Sequence, residues 1–436
     1  MSASFLRLER LGNSYNNSRT KSTILINAIV TNKSRQEFAR LMKFENGGSP
    51  IADSGDSKKL PLLYMHIPFC EKLCPYCSFH RVIFDIALCH DYFKALRKEL
   101  MLYKGKGYDF SGIYVGGGTP TILIGELEET LKLARECFSV RQISVETNPN
   151  HLTDETISVL KRAGINRLSV GVQSFDNQLL RNMDRYDKYG GCEVITRKLS
   201  HTLGQFDTLN ADMIFNFPSQ TMPMLERDLD ILMDIGIDQI TYYPLMVSDS
   251  TRQAVGEKFG HVNYAKEEQF YRRITDRLIP AYRHSSAWCF SKNATMIDEY
   301  IVDYDEYAGI GSGSIGYLNG ICYANTFNIA EYISRVNDGE IPVMASRSFQ
   351  IKDRLRYDFL MKLFGMDMDI AASRAKYGAG VYQALWFNIL AFILAGALQY
   401  SSSHLHLTER GCYLWVIMMR EFFIAVNNFR DFCRSA

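Results

Sequence analysis

Cys70, Cys74 and Cys77 follow the spacing C-x3-C-x2-C within His66-Ile67-Pro68-Phe69-Cys70-Glu71-Lys72-Leu73-Cys74-Pro75-Tyr76-Cys77. Three thiolates on so short a loop suit a metal that takes soft ligands. A structural zinc site closes with four protein ligands, whereas a reactive centre keeps one position open. A cubane [4Fe-4S] cluster held by three cysteines has one iron free for a substrate or cofactor. The competing reading is three cysteines used as small core residues. Their tight grouping argues against it, because the other seven of the ten cysteines are scattered.

Further polar residues sit where a ligand could reach them. Gly116-Gly117-Gly118-Thr119-Pro120-Thr121 is a turn whose backbone amides can approach a bound molecule closely, and Thr119 adds a hydroxyl. Glu146, Gln173, Arg185 and Asp212 lie in or just after apolar runs, where a carboxylate could hold a ribose or an amino group. Arg matches a carboxylate with its planar fork. Together the four carry charges suited to a zwitterionic amino acid.

The elements that must position these groups emerge from residue 62 onward. Apolar, β-branched runs at 62–67, 112–115, 142–146, 167–172, 211–215 and 239–243 predict strands. Stretches of helical period at 92–103, 125–137, 153–163, 191–203 and 222–235 separate them. Such alternation predicts βαβ units and a parallel sheet, either doubly wound or closed into most of a barrel. In both, ligands gather beyond the C-terminal ends of the strands, where the cysteines, the glycine turn and Gln173 fall.

Composition bounds the rest. The chain has 436 residues, 47% hydrophobic and 22% charged, and a net charge of +1. This describes a core-forming protein without the field needed to hold nucleic acid. Residues 1–30 show no long apolar core of a secretory leader, and no run is long enough to cross a bilayer. A cytoplasmic location is expected, with peripheral contact at the inner face of the membrane as an allowed addition. Residues 1–60 read as an N-terminal extension and linker, 61–330 as the main α/β unit, and 331–436 as a C-terminal substrate or lid domain ending in an apolar helix.

C-x3-C-x2-C after a strand, followed by Gly-Gly-Gly-Thr-Pro, resembles the radical S-adenosylmethionine (SAM) superfamily. His66-Ile67-Pro68-Phe69-Cys70, Gly171-Val172-Gln173-Ser174-Phe175 and Leu407-Thr408-Glu409-Arg410-Gly411 resemble, more narrowly, its oxygen-independent coproporphyrinogen III oxidase group. The resemblance covers about residues 60 to 415. It implies a partial (β/α)6 barrel, in an α/β fold with an N-terminal extension and a mostly helical C-terminal domain. It implies that Cys70, Cys74 and Cys77 bind a [4Fe-4S] cluster whose open iron chelates SAM. Reductive cleavage then yields methionine and a 5′-deoxyadenosyl radical, with a low-potential donor such as flavodoxin or ferredoxin supplying the electron. By the same resemblance, Tyr64, Gly117, Glu146 and Ile315 line the cluster-bound SAM. Tyr76, Gly118, Thr119, Gln173, Arg185 and Asp212 line a second SAM.

Four members of this group compete. A coproporphyrinogen oxidase is expected to carry a Tyr/Pro-rich N-terminal segment, which residues 1–60 lack. A heme chaperone is expected to begin near the first strand. The class C methyltransferase branch remains, acting on menaquinone at C8 or on heme (anaerobilin synthesis). The apolar runs at 386–398 and 413–430 tip the expectation toward a radical SAM C-methyltransferase of menaquinone, an apolar acceptor with a polyprenyl tail. The alternatives are heme methylation, an oxidase-like enzyme on a tetrapyrrole, and a non-catalytic heme chaperone. For the chaperone, His66, His80, His90 and Cys289 are the candidate axial ligands.

Overall fold

The computed structural model describes residues 25–46, 51–55, 59–249, 251–378 and 380–435. The expectations for residues 1–24, and for 47–50 and 56–58 of the N-terminal extension and linker, lie outside these. The first helix, α1, spans 25–41.

Six strands carry the architecture: β1 (Leu62–Ile67), β2 (Gly112–Gly117), β3 (Gln142–Thr147), β4 (Arg167–Gln173), β5 (Thr208–Phe215) and β6 (Gln239–Pro244). Each is buried along most of its length, as expected of strands covered on both faces. The connecting helices are α2 (Ile86–Gly105), α3 (Ile124–Cys137), α4 (Asp154–Arg162), α5 (Cys192–Thr202) and α6 (Met222–Ile235). All five pairings between neighbours are parallel and follow chain order. A doubly wound sheet would reverse direction once; this one never does, so right-handed crossovers place every helix on the same face. The result is the partial barrel, and the doubly wound alternative is excluded.

The sheet does not end at β6. On that side it continues into Cys289–Ser291, antiparallel to β6. On the other side Tyr307–Ile310 runs parallel to β1 and leads into an antiparallel meander, Ile315–Leu318, Ile321–Asn325 and Val343–Ser348. Two residues of the N-terminal extension, Glu45–Asn46, pair with the outermost of these strands. The extension is anchored further: Phe44 stacks on Phe429 with ring centroids 4.1 Å apart, and the Arg35 guanidinium donates to buried Glu421 at 2.9 Å.

After the sheet come α7 (Ile351–Phe364), α8 (Gly380–Leu394), a small three-stranded sheet, and α9 (Glu409–Ser435). The apolar run at 413–430 packs on its own domain over most of its length, and Phe422, Phe423 and Val426 reach the cavity described below. Trp415, Val416 and Met419 are fully buried, and Trp415 Nε1 donates to the Leu360 carbonyl of α7 at 3.1 Å. An apolar stripe at helical spacing has found its partner in the core. The exposed apolar face belongs to α8, where Phe387 is 78% and Leu394 77% accessible. No helix among the described residues is long and apolar enough to cross a membrane.

Candidate functional site

The site is built at the C-terminal ends of the barrel strands. β1 runs into Pro68 and then Phe69–Cys70, a short strand paired with Val82–Ile83, so the cysteine loop is closed at its base. Within it, Cys77 N donates to the Cys74 carbonyl at 3.2 Å. The glycine turn leaving β2 packs against this base: Gly118 N donates to the Ile67 carbonyl at 2.7 Å and Thr119 N to the Phe69 carbonyl at 2.8 Å. A Cβ on Gly118 would stand 2.6 Å from the Phe69 oxygen, so a side chain there would push the two segments apart. The glycines therefore serve the approach of two backbones as well as any ligand.

Polar groups bracket the thiols. Thr119 Oγ1 lies 3.8 Å from Cys70 Sγ, and Arg185 Nη1 lies 3.7 Å from Cys74 Sγ. Burial pushes the Cys70 thiol up to about 11, with Cys77 adding to the effect, and burial also raises Cys77. Metal binding must therefore displace their protons. Among the described residues no three His, Cys, Asp or Glu converge on a single ion. The chemistry of the donor set, three thiols on one loop lining one cavity, fits an iron–sulfur cluster held by three cysteines.

Behind the thiols lies a buried set of charges. Glu146 accepts from Tyr114 Oη at 2.8 Å and from Gly117 N at 3.2 Å; burial and the nearby Asp298 raise its pKa to about 7. Asp298 accepts from Tyr114 Oη at 2.5 Å, from Arg167 Nη1 at 2.8 Å and from Tyr243 Oη at 2.8 Å. Burial would raise Asp298, but the Arg167 guanidinium and these hydrogen bonds outweigh it and bring it to about 2. Asp212 accepts from Ser169 Oγ at 2.7 Å and Asn210 Nδ2 at 2.8 Å; burial and Asp298 hold it well above the carboxylate range. Of these neighbouring acids, Asp298 is held low by Arg167 and Asp212 is pushed up.

On the opposite wall Arg185 donates through Nη2 to the Gly171 carbonyl at 2.5 Å and to Asn148 Oδ1 at 3.2 Å, and its guanidinium lies 4.1 Å from the Tyr189 ring centre. Gln173 adopts a left-handed φ of 72° at a register shift between β4 and β5, which turns the strand end. Tyr64 meets His66 Nδ1 through its hydroxyl at 2.8 Å. Tyr76 packs edge-on against Phe217. Ile315 opens the strand after the second glycine-rich loop.

All thirteen residues singled out in the sequence line one cavity of about 360 Å³. The structure adds residues that the sequence reading missed: Tyr114, Tyr243, Asp298 and Tyr300 inside, and Arg81 and Arg430 beside Cys77. Arg167, buried at the foot of β4, does not line the cavity but fixes Asp298. A charged residue opening an apolar strand was the available signal for Arg167; Asp298 sits in an irregular segment and offered none. The proposed axial ligands are not brought to the cavity. His66 and His80 are buried, His66 Nε2 facing the His80 carbonyl at 2.9 Å and His80 Nε2 facing Ser312 Oγ at 3.2 Å. His90 faces Glu126, and Cys289 lies behind β6 near Thr241.

Comparison with known proteins agrees with this geometry. Residues 64–195 match the radical SAM superfamily. The heme chaperone HemW of Lactococcus lactis is 27% identical over 387 residues, covering 84% of this chain and 98% of that protein. Anaerobilin synthase of Escherichia coli O157:H7 is 27% identical over 312 residues, 66% of this chain and 68% of its own length. The solved structure of coproporphyrinogen III oxidase HemN from Escherichia coli superposes with a TM-score of 0.70 at 20% identity, over 83% of this chain and 90% of that one. These relatives are named for heme and porphyrinogen chemistry. They overturn the expectation of menaquinone C8-methylation. The comparisons do not show the methyltransferase class for this chain. Residues 64–195 are thus similar to the radical SAM superfamily, and the chain shares its fold with the solved coproporphyrinogen III oxidase.

Proposed function

We propose that this protein is a radical SAM enzyme acting on a tetrapyrrole. The observation that carries the reading is a single cavity whose inner wall holds three thiols and whose outer wall is aromatic, with Tyr300, Tyr317, Phe349 and Phe422 among its lining. A flat, largely apolar macrocycle is matched by such a wall. When bound, a [4Fe-4S] cluster and SAM supply one-electron cleavage of SAM.

The chain's own residues have distinct tasks in this reading. Cys70, Cys74 and Cys77 hold three irons. Tyr64, Gly117, Glu146 and Ile315 bind the SAM at the open iron. Glu146 is suited to the SAM amino group because its Oε atoms are already oriented by Tyr114 and Gly117. Tyr76, Gly118, Thr119, Gln173, Arg185 and Asp212 hold a second SAM, supported by a guanidinium and a carboxyl group facing one cavity. Asp298, paired with Arg167, adds to the burial that raises Asp212. A low-potential flavodoxin- or ferredoxin-type donor completes the reading.

The test is anaerobic reconstitution followed by addition of heme or a porphyrinogen with SAM and a low-potential one-electron reductant. The expected result is a shifted tetrapyrrole absorption band together with 5′-deoxyadenosine. Absence of any tetrapyrrole binding overturns the reading. A heme chaperone is the second reading, favoured by the near full-length match to HemW. It is distinguished by bound heme without 5′-deoxyadenosine.

A further inference from the structure

Two guanidinium groups beside Cys77 have no counter-ion. Arg81 donates through Nη2 to the Cys77 carbonyl at 2.6 Å. Arg430, near the end of α9, lies 4.9 Å from the Phe79 ring centre and donates through Nη1 to Asn427 Oδ1 at 2.9 Å. Both line the cavity with the thiols, and the Nε of each is buried without a hydrogen-bond partner. Ser78 Oγ, between them in the loop, is likewise buried and unpartnered. Among the described residues no carboxylate lies within ion-pair distance of either arginine. Arg434, one turn further on, contrasts with them: it pairs with Asp431 and touches only the Phe79 carbonyl.

Both guanidinium groups are partly buried, with the Nε of each shut off from water and unpaired, so an anion brought by a ligand to this wall is stabilised. Three thiolates on a cubane core supply one at this place, because the core's charge does not offset theirs and reduction adds a further electron. The Arg430 side chain also feels Cys77 directly, and Arg81 feels both Cys70 and Cys77.

We infer that Arg81 and Arg430 are positioning residues for the cluster: they compensate its negative charge from the Cys77 side and raise its reduction potential. The inference rests on the assignment of the cluster to Cys70, Cys74 and Cys77. The electron comes from the low-potential donor and stays on the cluster, with no bond made or broken at the arginines. Because Arg430 belongs to α9, the same contact ties the terminal helix to the cluster loop. Cation charge near an iron–sulfur centre is one of the levers that set its potential, and it acts more strongly where water is excluded.

The full chain, reconstituted anaerobically with iron and sulfide, is titrated electrochemically with the reduced cluster followed by electron paramagnetic resonance. Arg430→Gln and Arg81→Gln are expected to shift the midpoint to more negative potential. Arg430→Lys, which keeps the charge, is expected to stay near the wild-type value, and Arg434→Gln to leave it unchanged. A wild-type chain that takes up no iron and sulfide sinks the cluster assignment itself. An unshifted midpoint in Arg430→Gln overturns the inference while leaving the cluster in place. Equal loss of the cluster in Arg430→Gln and Arg430→Lys assigns the residue to packing and also overturns it. So does an unshifted midpoint with weakened binding of a porphyrin carboxylic acid, but not of its methyl ester. That outcome would give the arginine to the substrate.

Discussion

Glu146→Gln should flatten the pH dependence of the apo-protein's stability by about 3 kcal/mol between pH 4.5 and 8. The wild-type carboxyl ordinarily titrates at 4.5 and is raised to about 7 in the fold by burial and by Asp298. Below pH 4.5 folded and unfolded chains both hold the proton. Between 4.5 and about 7 only the folded chain holds it, so stability falls as pH rises through this window. Above it, the folded chain bears an ionised Glu146 and the full cost is present. At about 1.4 kcal/mol per tenfold change in proton affinity, the interval from 4.5 to about 7 amounts to about 3 kcal/mol. Glutamine keeps the acceptor for Tyr114 Oη but loses the bond from Gly117 N, a pH-independent loss of about 1 kcal/mol. Glu99, Asp228 and Glu299 are also raised, so the wild-type curve slopes for several reasons. The difference between the two proteins isolates Glu146. Urea unfolding followed by circular dichroism at pH 5 and pH 8 measures it. Parallel curves for the two proteins would refute the reasoning and place an ionised Glu146 beside an unseen cation.

Three further outcomes follow from named contacts. Cys74→Ala should abolish iron and sulfide uptake while the far-ultraviolet circular dichroism stays unchanged; retained stoichiometric iron would move the cluster elsewhere. Arg167→Met strands Asp298 in a buried site and should cost about 3–5 kcal/mol of unfolding free energy; a loss under about 1 kcal/mol would show that Tyr114 and Tyr243 suffice. Gly311→Ala places a Cβ 2.5 Å from the His66 carbonyl oxygen and the Tyr92 hydroxyl at a φ of +95°. It should lower the melting temperature, with backbone strain alone costing about 1–3 kcal/mol.

The barrel was legible because its signals are local. Apolar runs separated by helical periods marked the six strands, and the only open question was winding direction. That question is decided by which strand sits beside which, a relation no periodicity records. The candidate site was legible for a similar reason: a short cysteine spacing, a glycine turn and polar residues at strand ends all show along the chain. The C-terminal part was less legible for the converse reason. Residues 413–430 are as apolar as a surface that greets a lipid tail, and equally apolar as a helix buried against α7. The neighbours of Trp415 made the choice, and they lie more than a helix away in sequence.

The sequence by itself therefore determined the thiol loop, the alternating strands and helices, and the polar strand-end residues, which meet in one cavity with Tyr64, Tyr76 and Ile315, singled out only by the family resemblance. Only the tertiary structure decided how that cavity is charged. Asp298 is held low because Arg167, 131 positions away, reaches it across the barrel floor. Arg430 stands beside Cys77 because the terminal helix folds back over the cluster loop. Burial and Coulomb energy depend on distance in space, and folding alone sets that distance.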